Sequence, residues 1–301
     1  MTERPRPARP TPDLSGYHDD ERARVRIHWD FFGDRERRDR ETFVFMNGLA
    51  MGTEAWLTSV PHVHPEFNVL LFDYPGQGTS TRRDEPCTIP QICGYLASIL
   101  DRLEIDRVHT QGVSYGGFVT AEFGRLFPDR LHTQTLSGIL LSNTHTFRMY
   151  QDLSMAFYAR GPEVFDLYTH YLYEKLFSEK FLERIHDKVE RMRTKFYDNY
   201  RTQPYCLARL TEAQDVMLKA LEQNLDGYRA VTAPTLIIAG EYDRVVPAWA
   251  QEAMTEVFPS TRYMVLPRCG HLTYFEEPDV FWGSLRALAR AKSVQYTLDA
   301  A

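Results

Sequence analysis

The sequence predicts an α/β fold, a mostly parallel sheet with helices on both faces, interrupted by a helical insertion. Three observations carry this expectation. Short apolar strands alternate with helical patterns through residues 23–143 and again from residue 230 to the end. Residues 144–229 break that alternation with few Gly or Pro, many helix formers and a dense set of aromatics. Finally, Gly112-Val113-Ser114-Tyr115-Gly116-Gly117 lies where an apolar strand meets a helical pattern.

Along the chain, residues 1–22 read as a disordered arm. Pro5, Pro7, Pro10 and Pro12 stand among Arg4, Arg6 and Arg9, with no apolar run behind them, so helix is blocked and a secretory leader is not expected. The core then opens with an alternating strand, Ala23–Phe32, and the charged stretch Asp34–Glu41 reads as a hairpin tip. Strands follow at Thr42–Met46 and Asn68–Tyr74, then an amphipathic helix at Thr88–Leu103. Next come a strand at Val108–Gly112, a helix at Gly117–Phe127 and a strand at Thr133–Leu141. After the insertion the pattern resumes with the strand Thr235–Gly240, helix Ala248–Val257, strand Thr261–Leu266 and a helix from Asp279 to about Arg290. The insertion's aromatics are expected to bury it against the sheet domain.

Composition excludes several classes. The chain has 301 residues, 43% hydrophobic and 25% charged, which suits a globular protein with a large core. No stretch approaches the roughly 20 apolar residues of a membrane span. A net charge of −6 argues against a general nucleic-acid binder, which needs a basic face. The four cysteines, Cys87, Cys93, Cys206 and Cys269, have neither disulfide-framework nor zinc spacing, and free thiols fit the cytoplasm.

The element at 112–117 puts Ser114 on a sharp turn between strand and helix, with Gly112 and Gly116 removing side chains that would clash. The following helix N-terminus supplies positive potential. A serine hydroxyl needs a base to take its proton and an acid to hold that base. Asp243 follows the strand at 235–240, and His271 follows the strand at 261–266, so both project at the sheet edge that carries Ser114. Glu241 and Asp226 compete for the role of acid, but the loop position of Asp243 suits it better. Two N–H donors are then needed for an oxyanion. Tyr115, directly after the nucleophile, offers one, and Leu49, in Met46-Asn47-Gly48-Leu49-Ala50 at a strand end, offers the other.

These residues resemble the α/β-hydrolase family. The elbow GVSYGG, the acid in AGEYDRVVP and the histidine in CGHLTYFEEPDVF match its three stations, over most of residues 41–142 and 229–290. The resemblance implies that 144–229 is the family's variable cap, and that no cofactor or metal is needed. FVFMNGLAMGTEAW and FNVLLFDYPGQGTS are also similar to the branch that holds hydroxyacyl-ACP:CoA transacylases and the enzyme building the lipid part of rhamnolipids. Asn47 agrees with that branch, where the wider family has His; Tyr115 departs from its usual Trp, and AGEYDRVVP reads more like an ordinary esterase. Resemblance to haloalkane dehalogenases and epoxide hydrolases is weak, because those need a carboxylate where Ser114 stands.

Other motifs carry less. Gly76-Gln77-Gly78 lacks the third glycine of a dinucleotide loop and reads as a turn. His62-Val63-His64, flanked by Pro61 and Pro65, reads as a loop without further metal ligands. Glu174–Lys195 mixes both charges at helical spacing, as a solvated helix does. Two functional readings follow: a serine esterase or thioesterase acting on an apolar acyl group, with acyl transfer as its variant, or a non-catalytic ligand receptor on the same fold. An intact Ser, Asp and His favours turnover.

Overall fold

In the computed structural model, residues 9–297 are described, apart from 35 and 38. One eight-stranded sheet contains β1 (Leu14–Asp20), β2 (Val25–Phe32), β3 (Thr42–Met46), β4 (Asn68–Phe72), β5 (Val108–Val113), β6 (Leu131–Ser137), β7 (Thr235–Gly240) and β8 (Thr261–Leu266). Its spatial order is β1-β2-β4-β3-β5-β6-β7-β8. The β1–β2 and β2–β4 pairs are antiparallel, and the rest are parallel.

Strand β3 shows how the sequence builds two cores. Val44 and Met46 point into one with Leu70, Phe72 and the helices α2 (Ile89–Arg102) and α3 (Tyr115–Leu126). Phe43 and Phe45 point into the other, where Phe281, Trp282 and Leu285 of α11 (Pro278–Ala291) and Val60 and Val63 of the short α1 (Val60–Val63) pack. Helix α2 starts where expected because Thr88 and Gln91 form a reciprocal capping box.

The first strand corrects the expected arm. Residues 1–8 lie outside the described residues, but β1 falls within the segment read as disordered. It pairs with β2 from Leu14↔Phe31 to Asp20↔Val25. As an edge strand made of LSGYHDD it buries little, so it carries no apolar alternation to read. Gly16 is needed there, since a Cβ would come within 2.7 Å of the Trp29 ring.

The expected hairpin between β2 and β3 does not form. Strand β4 lies between them, pairing antiparallel with β2 and parallel with β3. His62-Val63-His64 belongs mostly to α1 and not to a loop. The helix expected at 248–257 is α9 (Ala248–Glu252) followed by a 3-10 turn, Ala253–Glu256.

Between β6 and β7 come α4 (His145–Tyr158), α5 (Pro162–Leu176), α6 (Glu179–Tyr200), α7 (Tyr205–Lys219) and α8 (Leu221–Arg229). Many of their aromatics do not bury the insertion against the sheet. Tyr158, Phe165, Tyr168, Phe196 and Tyr200 form a cluster of their own, with the Tyr158 and Tyr168 hydroxyls 2.7 Å apart. Helix α8 belongs to the main core. It packs on α3, where Tyr228 donates to the buried Glu122 at 2.7 Å, so the end of the stretch 144–229 lies in the sheet's own helical layer. Among the described residues no helix is long and apolar enough to cross a membrane.

Candidate active site

Strand β5 ends at Val113 and α3 begins at Tyr115, leaving Ser114 alone on the turn with φ 55° and ψ −126°. A non-glycine residue held there stores on the order of 1–3 kcal/mol of backbone strain. The strain is held in place by hydrogen bonds from Ser114 N–H to the Ser137 carbonyl and from Gly117 N–H to the Ser114 carbonyl, both 2.8 Å. Both elbow glycines are steric necessities: a Cβ on Gly112 would lie 2.1 Å from the Gly116 carbonyl oxygen, and one on Gly116 would lie 2.2 Å from that of Met46.

Asp243 leaves the end of β7, and His271 the end of β8. The structure brings them together: Nδ1 of His271 lies 2.8 Å from Oδ2 of Asp243, with both side chains 1% exposed. Oδ1 of Asp243 accepts the N–H groups of Val245 and Val246, each at 2.8 Å. The competing acids are elsewhere. Glu241 accepts the Arg268 N–H at 2.7 Å, and Asp226 is exposed and paired with Arg229. His271 and Ser114 line one cavity. Nε2 of His271 is buried and carries no hydrogen bond among the described residues. In resting hydrolytic sites the nucleophile–base bond is often long and tightens only around the reacting group.

The loop after β3 sits opposite the elbow. The Asn47 side chain is fully committed inside the protein: its Oδ1 accepts from the Trp56 indole at 2.7 Å, and its Nδ2 donates to the Phe72 carbonyl at 2.9 Å. It therefore shapes the loop and does not face the cavity. Asp73 continues this support by accepting the Thr53 N–H at 2.6 Å. Neither the Leu49 nor the Tyr115 N–H donates to any acceptor among the described residues, and both residues line the cavity.

Three supports were missed from sequence. Gln251 on α9 donates to Oδ2 of Asp243 at 3.1 Å and to the Val246 carbonyl at 2.8 Å, and accepts the Gly138 N–H at 2.8 Å. Gly138, at φ +67°, lets the imidazole approach, since a Cβ there would lie 2.6 Å from Cε1 of His271. Glu276, buried on α10 (Thr273–Glu276), accepts the Gly270 N–H at 3.1 Å. Cys269 is close by, but burial pushes its thiol up, which leaves it protonated and a poor nucleophile.

The cavity above Ser114 encloses about 380 Å³. Its floor holds Ser114, Tyr115, Leu49 and His271. Its roof comes from the insertion, with Tyr173 and Leu176 on α5 and Met192 and Phe196 on α6. Among the described residues no group of three or more His, Cys, Asp or Glu side chains is arranged to hold a metal.

A family model described as the alpha/beta hydrolase fold matches residues 41–278. The chain belongs to that family. Among its relatives, a 2-hydroxy-6-oxononadienedioate/2-hydroxy-6-oxononatrienedioate hydrolase of Cupriavidus pinatubonensis is 27% identical over 262 residues, covering 80% of this chain and 84% of that protein. A Pseudomonas syringae protein with a provisional carbamate hydrolase name, RutD, is 25% identical over 260 residues, covering 84% and 95%. Among solved structures, the α/β hydrolase MGS-M2 from a deep-sea metagenome superposes with a TM-score of 0.80 at 22% identity, covering 95% of this chain and 99% of that one. This α/β-hydrolase thus shares its architecture with hydrolases over nearly its whole length.

Proposed function

We propose that this α/β-hydrolase is a serine hydrolase that acts through an acyl-enzyme on a carboxylic ester or thioester with an apolar acyl group. One observation carries the reading: His271, paired with the buried Asp243 at 2.8 Å, lines one largely apolar cavity with a serine on a strained elbow. Ser114 Oγ attacks the acyl carbon while Nε2 of His271 takes its proton, and Asp243 steadies the imidazolium through Nδ1. The N–H groups of Leu49 and Tyr115 receive the oxyanion. His271 then protonates the leaving group. Water, deprotonated by the same imidazole, releases the acid. The helices over the cavity act as the cap, and their apolar side chains select the acyl chain.

The test is turnover of an acyl-chain series, as oxygen esters and CoA thioesters, by wild type and Ser114→Ala, with products separated into free acid and transferred acyl group. Loss of turnover in Ser114→Ala, together with covalent labelling of wild type by a serine-directed phosphonate, is the expected result. A flat rate across chain lengths would remove the apolar-acyl assignment, and absence of labelling would favour a ligand receptor. Because the relatives carry names for hydrolysis of a carbamate and of 2-hydroxy-6-oxononadienedioate, substrates of those two kinds belong in the same panel.

A further inference from the structure

The carboxylate of Glu276 joins two parts of the protein that the proposed chemistry treats separately. Its Oε1 accepts the N–H of Gly270, the residue before His271, at 3.1 Å, and the N–H of Ser178 at 3.0 Å. Its Oε2 accepts the Ser178 hydroxyl. Ser178 caps α6, accepting the Phe181 N–H through its side chain at 3.3 Å, and sits two residues past the end of α5. That end of α5 forms part of the cavity roof through Leu172, Tyr173 and Leu176.

The same junction grips both catalytic loops. The Leu176 carbonyl accepts the N–H of His271 at 2.9 Å and of Leu272 at 3.3 Å. Arg244, next to Asp243, pairs with Glu174 at 2.7 Å and donates to the Phe177 carbonyl at 3.1 Å. Packing leaves no slack around the pin: a Cβ on Gly270 would lie 2.7 Å from Oε1 of Glu276 and 2.8 Å from the Phe177 carbonyl carbon. Glu276 is 6% exposed, and among the described residues no cation pairs with it. Burying a carboxylate without a counter-charge is costly, and burial pushes its carboxyl up from the ordinary value against the pull of these three hydrogen bonds.

We propose that Glu276 is a positioning residue for His271, pinning the Gly270 backbone to the α5–α6 junction so that the roof over the acyl group and the general base are held as one body. The proposal rests on the serine-hydrolase reading above. Displacing a general base by about 1 Å is enough to cost on the order of 10²-fold in rate. Glu276→Ala removes the acceptor from two buried N–H groups. Glu276→Gln keeps an oxygen at Oε1 for both of them, and its NH2 group replaces Oε2, donating to the Ser178 hydroxyl where the carboxylate accepted from it.

The experiment measures kcat and KM on an ester series, the rate of phosphonate labelling of Ser114, and the melting temperature, in wild type, Glu276→Ala, Glu276→Gln and Ser114→Ala. At a temperature where each variant is folded, Glu276→Ala should lower both kcat and the labelling rate by about 10²-fold, with KM moved less than kcat. Glu276→Gln should restore both rates to near wild type. A folded Glu276→Ala that labels within about twofold of wild type overturns the proposal. So does a Glu276→Gln that falls as far as Ala, since charge and not backbone pinning would then be at work. Should Glu276→Ala not fold, Glu276→Asp carries the test: one methylene short, it cannot hold Gly270 and Ser178 together and should show the same loss. A Ser114→Ala protein that still turns over the esters would instead remove the serine-hydrolase reading itself.

Discussion

Asp243 gives one oxygen to His271, shared with the Gln251 amide, and the other to the backbone. Oδ2 faces Nδ1 of the imidazole at 2.8 Å, while Oδ1 is held by the N–H groups of Val245 and Val246. In Asp243→Asn those two donors keep the amide oxygen at the Oδ1 position and turn the NH2 group toward Nδ1. The imidazole is then forced into the tautomer with its proton on Nε2, which cannot accept from Ser114. The expected loss in kcat is on the order of 10⁴-fold with the fold intact. Steady-state kinetics beside a circular dichroism spectrum checks this, and a loss below tenfold would take Asp243 out of the acid's role.

Gly138 allows the imidazole its place. In Gly138→Ala the new Cβ would lie 2.6 Å from Cε1 of His271, at a backbone φ of +67° that side chains resist. Destabilisation of about 1–3 kcal/mol is expected, together with a loss in kcat approaching 10²-fold as the ring is pushed from its partner. Urea unfolding and kinetics on one preparation measure both. Unchanged activity would show that the ring has another place to go.

Gln251 tests the support of the acid. Gln251→Leu keeps the volume but leaves the buried Gly138 N–H without the acceptor it has at 2.8 Å. Stability should fall by about 1–3 kcal/mol. Because Val245 and Val246 still hold Asp243, the kinetic loss should stay below the roughly 10²-fold expected for misplacing the base itself. An activity loss equal to that of Asp243→Asn would mean that Gln251, and not the two N–H groups, orients the carboxylate.

These residues also mark how far the sequence could be read. Ser114, Asp243 and His271 stand just past the ends of β5, β7 and β8, and such positions are legible because apolar strands and glycine turns announce them. Strand β1 was not legible, because an edge strand of polar residues is held by backbone bonds that leave no pattern. Gly138 sits inside the run read as strand to Leu141, and its positive φ falls directly after the end of β6 at Ser137. Glu276 and Glu277 are adjacent and identical in type. Only packing decides that the first turns inward to Gly270 and Ser178 while the second faces Lys180 at the surface. Three-dimensional supports of this kind draw on residues far apart in the chain, beyond the reach of local periodicity.

His28 gives the stability of the fold a pH dependence. Its ring lies between Oδ1 of Asp30 and Oδ2 of Asp73, each at 3.4 Å. Burial pulls its pKa down, but the two carboxylates prevail and raise it to about 10 from an ordinary 6.5. A group whose folded pKa lies above its unfolded value stabilises fully below the unfolded value and loses that contribution as pH rises through the folded one. The imidazolium's contribution, on the order of a few kcal/mol, should therefore be complete at pH 6 and fade toward pH 10. Asp73 also holds the Thr53 N–H behind the Leu49 loop, so the loop should loosen as the charge is lost. Urea midpoints of wild type and His28→Gln at pH 6, 8 and 10 measure the linkage. The gap between the two proteins should be widest at pH 6 and narrow at pH 10, and a constant gap would show that His28 is held by packing and not by charge.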